Sequence, residues 1–265
     1  MSVSALLLSD SRFPAGGHAH SGGVEPAVTA GTVSDLASLE TFLLGRLRTA
    51  GLVAAGLAAA ACACAGRAGG AERSGGAGGA ELWDLLDAEA DARTPSPAQR
   101  AASRRQGRAL LRAARVAWPD DAGLAVLAVS SATARVNAGG GPNAGGRRAG
   151  GGGAGGGAGY LGGAHHAVVL GAAAAAAGCS VRDAARIAAY QSVAAAASAA
   201  VRLLALDPMR ATAVLARLTR DVDLIAECAA AAADGPLEEL PCPSAPALDL
   251  LAEAHIRAEV RLFES

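Results

Sequence analysis

Histidine and glutamate side chains near the N-terminus are the first candidates for chemistry. His18, His20 and Glu25 offer two imidazoles and a carboxylate, which together can ligate a transition metal. Residues two apart do not share a helix face, so His18 and His20 can hold one ion only from a loop. The preceding segment 13–17 (FPAGG) favours a turn that glycine makes possible. We therefore expect turn, cap and core contacts here before a metal site.

A second pair of histidines, His165 and His166, is adjacent in sequence. Neighbouring residues of a helix point about 100° apart, so one can be buried and hydrogen-bonded while the other faces solvent. A metal site on the protein surface is the alternative, because imidazole is a common ligand of transition metals. We expect a structural role first.

The sequence carries none of the common motifs of enzymes. Neither G-x-S-x-G nor H-E-x-x-H occurs, and a Walker A loop needs a lysine, whereas all 23 basic residues are arginine. The five cysteines lack the C-x-x-C spacing of zinc sites, so we expect reduced thiols. We predict a protein that is not an enzyme and has no cofactor. An enzyme on a helical bundle would need titratable groups clustered in a pocket.

The composition predicts the elements that must position these side chains. The hydrophobic fraction is 52% with only 3% aromatics, so alanine and leucine, both strong helix formers, dominate. Glycine and proline punctuate roughly eight to ten helical segments, with no convincing strand. We predict an all-α fold, a single-domain helical bundle over residues 1–265. The uncharged stretch 49–66 is rich in alanine and glycine, so we expect a buried core helix rather than a membrane span.

Local capping signals predict where helices begin. Ser96-Pro97 with Gln99 is a capping box with a proline start, and it predicts a helix to about Ala117. Similar signals predict helices from Ser34, from Ser180 to about Leu206 and from Asp207 to Ala233, while His18 to Ala30 is compatible with a further helix.

Two segments fall outside this helical pattern. Residues 137–163 are mostly glycine and cannot bury enough apolar surface to offset chain entropy, which predicts a mobile loop. A C-terminal tail at about 244–265 follows a proline-rich link. Its apolar stripe needs a groove, either the chain's own or a partner's, and both alternatives are open. The stripe consists of Leu248, Leu251, His255, Leu262 and Phe263.

Three stretches resemble the UreF family of urease accessory proteins. Residues 10–25 read DSRFPAGGHAHSGGVE, close to the family pattern DSxFPxGGxxHSxGLE. Residues 198–204 read SAAVRLL, similar to SAAVRL. The C-terminus has PALDL, a following histidine and a final RLFES, similar to PxLDI, His and RLFxS. The motif positions taken as candidate partner-binding residues are Arg12, Phe13, Pro14, Gly16, Gly17, His20, Ser21, Glu25, Tyr190, Arg202, Leu248, Asp249, His255, Arg261, Leu262 and Phe263.

The resemblance implies an all-helical, usually dimeric adaptor in the cytoplasm. Such a protein binds UreD (UreH in some organisms) and recruits the GTPase UreG, and the assembly delivers nickel to apo-urease. Ser103 with Gly107, and His165 with Gly171, also lie where the family has a serine followed by a glycine and a histidine followed by a glycine. A formal net charge of -1 gives no pull toward nucleic acid or an anionic membrane.

Two functional alternatives remain within this resemblance. The chain can instead bind nickel directly, using His18, His20, His165 and His166. Arg202 can serve as an arginine finger for the GTPase if it is exposed and mobile. Because Val201 and Leu203 frame it, we expect Arg202 to be buried in an ion pair instead.

Overall fold

The computed structural model of the chain describes residues 2–10, 12–14, 19–71, 78–139 and 163–264. These residues contain α-helices and no β-strand, which confirms the predicted all-α class. A π-helical turn, Leu47–Gly51, joins α3 to α4 in one continuous helix, so eleven separate α-helices are described. With the two joined segments α3 and α4 labelled separately, the α-helical segments in chain order are α1 Val3–Ser9, α2 Val24–Thr29, α3 Leu36–Arg46, α4 Leu52–Ala71, α5 Gly78–Ala92, α6 Pro97–Ala117, α7 Ala122–Gly139, α8 His166–Ala176, α9 Val181–Leu204, α10 Pro208–Arg217, α11 Thr219–Ala232 and α12 Pro246–Ile256.

Helices α4, α8, α9 and α11 pack on one another at the centre of the fold. Their facing positions are mostly alanine, and Ala58, Ala61, Ala173 and Ala189 are fully buried. Small side chains let the helices approach closely. At the closest point, a Cβ on Gly171 of α8 would lie 2.2 Å from the carbonyl oxygen of Ala58. Only glycine fits there without moving a helix.

A second glycine permits an equally close approach. A Cβ on Gly107 of α6 would lie 2.1 Å from the carbonyl oxygen of Ala164, just before α8. Gly107 and Gly171, the glycines of the two family-like pairs, therefore both permit close packing. Gly107 allows α6 to approach the start of α8, and Gly171 allows α8 to approach α4.

The helix starts predicted from local capping signals are largely confirmed. Ser96, Ser180 and Asp207 are N-caps, and each side chain accepts a backbone N–H of the first turn. The predicted cap of α3 was wrong by one residue, because Asp35, in a capping box with Ser38, performs that role instead of Ser34.

Two predicted helix ranges differ from the structure. Helix α2 begins only at Val24, because Gly22 and Gly23 have positive φ values of 63° and 90°. The helix expected from Asp207 to Ala233 is broken at Leu218, which is 4% exposed and separates α10 from α11. No glycine or proline marks this break.

The remaining segments of interest lie at the chain's glycine-rich stretch and its C-terminal end. Most of the predicted mobile loop at 137–163 lies outside the described residues, and residues 137–139 end α7. The C-terminal segment is helical only in α12, and residues 258–264 continue without a helix.

Two helical stretches, Leu36–Gly66 and Val181–Leu204, are long and apolar enough to cross a membrane by length and composition alone. In the fold, 61% and 44% of their most apolar 18-residue segments are buried. Both stretches pack in the centre described above. Burial of this kind agrees with the core-helix interpretation of residues 49–66.

Candidate functional site

A buried carboxylate near the N-terminus holds the C-terminal tail. Glu25 lies in the first turn of α2 and is 7% exposed. It accepts the backbone N–H groups of Leu262 at 2.7 Å and of Phe263 at 3.0 Å. Two hydrogen bonds to one carboxylate fix the position of the tail backbone, because charge-assisted bonds are stronger than neutral ones.

A histidine of α12 completes this arrangement from the other side. His255 is 5% exposed, and its Nε2 lies 3.1 Å from the carbonyl oxygen of Phe263 and 3.6 Å from Glu25 Oε2. A carbonyl oxygen only accepts, so Nε2 carries the proton and donates it. Glu25 and His255 therefore satisfy both the N–H and the C=O of Phe263.

Arg202, near the end of α9, lies against the same tail. Its guanidinium carbon is 4.5 Å from the centroid of the Phe263 ring, a cation–π contact. Phe263 is 6% exposed, whereas Arg202 is exposed. The expected burial of Arg202 was therefore wrong. The buried face of α9 runs through Ala196, Ala199 and Ala200, which leaves position 202 facing the tail rather than the core.

The penultimate residue ties the tail to the first motif. The backbone N–H of Glu264 donates to the carbonyl oxygen of Ala19 at 2.7 Å. Its carboxylate lies 3.3 Å from Nε of Arg105 and 4.0 Å from Nε2 of His20. We call the set Glu25, Arg202, His255 and Phe263 the tail site. All three motif stretches of the sequence contribute to it.

The tail site buries Phe263 and leaves neighbouring apolar side chains in solvent. Leu250 is 72%, Ile256 48%, Val260 84% and Leu262 76% exposed. We call these four residues the outer face. Of the C-terminal apolar stripe, Phe263 is therefore buried in a groove of the chain itself, whereas Leu262 is not. Arg261, between the outer-face residues Val260 and Leu262, is also exposed.

Other motif residues support the segments that build the tail site. Ser21 is fully buried and its Oγ accepts the backbone N–H of Glu25 at 3.3 Å. Leu248 is half-buried and packs beside Gly23, where a Cβ would lie 3.5 Å from a Leu248 methyl group. Burial raises the pKa of the Asp249 carboxyl above its ordinary value.

The remaining candidates lie away from the tail site or outside the described residues. Phe13 stacks on Trp118 with ring centroids 6.2 Å apart. Arg12 is paired with Asp10 at 2.7 Å, and this hydrogen bond lowers the pKa of Asp10 to about 2. Pro14 is exposed, and Tyr190 is 40% exposed. The candidates Gly16, Gly17 and His18 lie outside the described residues.

His165 belongs to a polar network that joins α5, α6 and α8. Its Nε2 lies 2.8 Å from Asp91 and its Nδ1 3.0 Å from the hydroxyl of Ser103. That hydroxyl also accepts the backbone N–H of His166 at 3.1 Å. The buried Arg104 binds Asp91 at 2.7 Å and Asp87 at 2.6 Å. The network satisfies otherwise unpaired groups at the start of α8.

The same network contains the residue types of a hydrolase triad, in a different arrangement. The carboxylate contacts Nε2 and the serine contacts Nδ1, which reverses the usual order. One lone pair of the Ser103 hydroxyl already accepts the backbone N–H of His166, so its geometry is that of a cap on α8. Sequence analysis missed Asp91 and Arg104 here, because the partners lie on separate helices with no common motif.

Burial also affects the charge of the two other described histidine candidates. Burial lowers the pKa of His20 and of His166 to about 4 each, so both are neutral at pH 7. His166 retains partial contact with solvent. Within the described ranges, no three His, Cys, Asp or Glu side chains lie close enough together to hold a metal ion.

A cleft of about 520 Å³ adjoins the tail site. Its lining comes from α1 to α6, α8, α9 and α12, and the four described histidines all contribute to it. Phe13, Tyr190, Arg202 and Leu248 of the motif stretches also line it. The cleft has the size of a small-molecule site, for which 300–1,000 Å³ is about the usual range.

The fold and the tail site define a class: an all-α protein in which an N-terminal segment and two helices hold the C-terminal tail in place. The chain belongs to the UreF family, because the model of that family matches residues 33–219. The family consists of urease accessory proteins.

Known relatives support this assignment over nearly the whole chain. The chain is 41% identical to the urease accessory protein UreF of Mycolicibacterium vanbaalenii, covering 98% of this chain and 97% of that protein. It is 39% identical to UreF of Mycobacterium sp. (strain JLS), with the same coverage of both chains. A stretch of 115 residues, 43% of this chain and 47% of the relative, is 50% identical to UreF of Mycobacterium tuberculosis (strain H37Rv).

Proposed function

We propose that this chain is a cytoplasmic adaptor of urease maturation with no catalysis of its own. It binds UreD (UreH), recruits the GTPase UreG and so supports insertion of nickel into apo-urease. Nickel is the cargo of this assembly rather than a cofactor of the chain. We further propose that the chain is a single domain and acts as a homodimer.

The observation that carries the proposal is the exposed outer face beside the docked tail. Scattered apolar residues are common on protein surfaces, whereas a contiguous apolar patch marks an interaction site, and we propose that the outer face forms one. The face is made of Leu250 and Ile256 of α12 and of Val260 and Leu262 of the tail, and hydrogen bonds with Glu25 and His255 fix the tail backbone at residues 262 and 263. A preordered surface loses less entropy on binding than a flexible one.

The charges near the outer face suit a partner surface that carries carboxylates. Arg261 lies within the face, and the exposed Arg202 lies behind Phe263. Guanidinium groups bind carboxylates in a bidentate manner, which gives orientation as well as attraction. We therefore assign the apolar residues to the contact with UreD and the nearby arginines to the recruitment of UreG.

Co-purification tests the proposal directly. The full chain, co-expressed with UreD and UreG, should form a complex with both. Val260→Asp combined with Leu262→Asp should remove UreD from the complex without changing the melting temperature of the free chain, because both side chains are exposed. Val116→Asp is a matched control, since Val116 is also 84% exposed but lies near the end of α6. Failure of the unmodified chain to retain UreD would contradict the proposal.

A further inference from the structure

The cleft contains an arginine that has no acidic partner in the part of the chain that the structure describes. Arg46, the last residue of α3, lines the cleft. Its Nε donates to the carbonyl oxygen of Ser192 at 2.9 Å, and this is its only hydrogen bond to described residues. Burial lowers the pKa of Arg46 to about 10, with no carboxylate opposing that effect. The terminal edge of the guanidinium therefore remains available.

The local backbone is built to present this side chain. The π-helical turn Leu47–Gly51 begins directly after Arg46, and such turns occur frequently at functional sites. Gly22 packs against the guanidinium, where a Cβ would lie 3.2 Å from its atoms. The side chain is thus held by Ser192 on one side and by a glycine backbone on another. A partly desolvated cation without a counter-charge is costly, and an anionic ligand would offset that cost.

The floor of the cleft beyond Arg46 is apolar. Ala50, Val53, Ala54 and Leu57 line it at helical spacing along the same continuous helix. Eleven residues of helix extend over roughly 16 Å, so the floor is long enough for a short aliphatic chain. Among the carboxylates that line the cleft, Asp10 is already paired with Arg12, and burial disfavours the charged form of Asp249.

We propose that this cleft binds a small aliphatic monocarboxylic acid, with its carboxylate on the terminal edge of Arg46 and its chain along Ala50, Val53, Ala54 and Leu57. A guanidinium edge matches a carboxylate geometrically, and the apolar floor matches the chain. This inference is independent of the proposed role in urease maturation, because the outer face plays no part in it.

Calorimetric titration of the full chain with octanoate tests the inference. Octanoate should bind and raise the melting temperature, whereas acetate (charge without chain), 1-octanol (chain without charge) and inorganic phosphate should each bind about tenfold more weakly or worse. Arg46→Met should weaken octanoate binding about tenfold or more. Arg48→Met is the matched control, since Arg48 lies two residues away and pairs with Asp221 at 3.0 Å. It should leave binding unchanged.

A second variant protects the test against a folding defect. Ala54→Phe should fill the floor and abolish octanoate binding while Arg46 remains in place. Equal affinity of Arg46→Met and the unmodified chain would overturn the proposal, and so would equal binding of octanol or acetate. Absence of octanoate binding in the unmodified chain would also overturn it.

Discussion

The carboxylate of Glu25 accepts the backbone N–H of Phe263 at 3.0 Å, although 238 residues separate the two along the chain. Because Glu25 is buried, this bond and its neighbour to Leu262 are needed to compensate the carboxylate for lost hydration. The two ends of the chain are therefore energetically coupled. A change at either end should be felt at the other.

Glu25→Ala should lower the stability of the isolated chain. The substitution removes two charge-assisted hydrogen bonds to the tail, and we expect a loss of about 2–3 kcal/mol. The measurement is a thermal or urea melt of the full chain. Glu259→Ala is the control, because Glu259 is exposed and no hydrogen bond or ion pair is described for it. Equal melting of both variants would show that the carboxylate does not hold the tail.

Phe263→Ala should lower the stability of the free chain, whereas Leu262→Ala should weaken the complex with UreD, although the two residues are adjacent. Phe263 is 6% and Leu262 76% exposed, so only the first should destabilise the free chain, by about 1.5–3 kcal/mol. Deletion of residues 261–265 should also lower the melting temperature and weaken the complex with UreD. A pull-down with UreD beside the melts separates the two effects. An unchanged pull-down from the truncated chain would exclude docking of the tail on UreD.

Local sequence signals predicted most of the helix starts. The features that were missed depend on contacts between distant segments. Ser96, Ser180 and Asp207 were identified as caps because a cap depends only on neighbours within one turn. The break at Leu218 carries no such signal, and the side chain at this position is buried in the hydrophobic core. Tertiary packing decides where such a helix break occurs, and the hydrophobic periodicity of a single segment carries no information about that packing.

The candidate site shows the same division. Residues of the tail site were all identified by motif, but their meeting point was not, because it depends on packing between distant segments. Arg202 was misplaced because its sequence neighbours were used to infer burial. In a helix, adjacent residues point about 100° apart, so apolar neighbours say little about the face on which an arginine lies. Arg46 was overlooked, since no motif marks it.

Gly171→Ala should be strongly destabilising despite its small size. The added Cβ would lie 2.2 Å from the carbonyl oxygen of Ala58 and 2.5 Å from the Cβ of Ala61, so α4 and α8 must separate. We expect a loss of about 1–3 kcal/mol or more. Gly45→Ala is the matched control, because nothing lies within 4 Å of a Cβ there. It should stabilise helix α3 by roughly 0.5–1 kcal/mol. Denaturant melts of both variants test the pair.

Sedimentation equilibrium tests the proposed homodimer. At micromolar concentration the full chain should show twice the 25.7 kDa mass of one chain. The alanine-rich helices favour association, because small side chains allow helices of two copies to approach closely. A monomer across the whole concentration range would contradict the dimeric adaptor.

Stability should fall as the pH is lowered from 7 to 5. Burial lowers the pKa of His20 and His166 to about 4, against an ordinary value of 6.5. Between these values the unfolded chain binds protons that the folded chain does not, so unfolding becomes easier as acid is added. Each histidine can contribute at most about 1.4 kcal/mol per pH unit. This stability is complete above pH 6.5 and is lost progressively down to about pH 4.

The carboxylates Asp10 and Asp35 act below this pH range, whereas Asp249, whose pKa is raised by burial, acts above 3.8 and in the opposite direction. Asp10 and Asp35 have pKa values lowered by hydrogen bonds, so their contribution is present above their ordinary pKa of 3.8 and is lost only below it. Melts at pH 5, 6 and 7 of the unmodified chain beside the histidine variants therefore isolate the histidines, because every carboxylate is common to both. His20→Gln and His166→Gln should each flatten the dependence, and the double variant should flatten it further. His20 also lies near Glu264 and Arg105, whose opposing effects on its pKa are smaller than that of burial. Identical melting temperatures of the unmodified chain at pH 5 and pH 7 would show that neither histidine is held neutral by the fold.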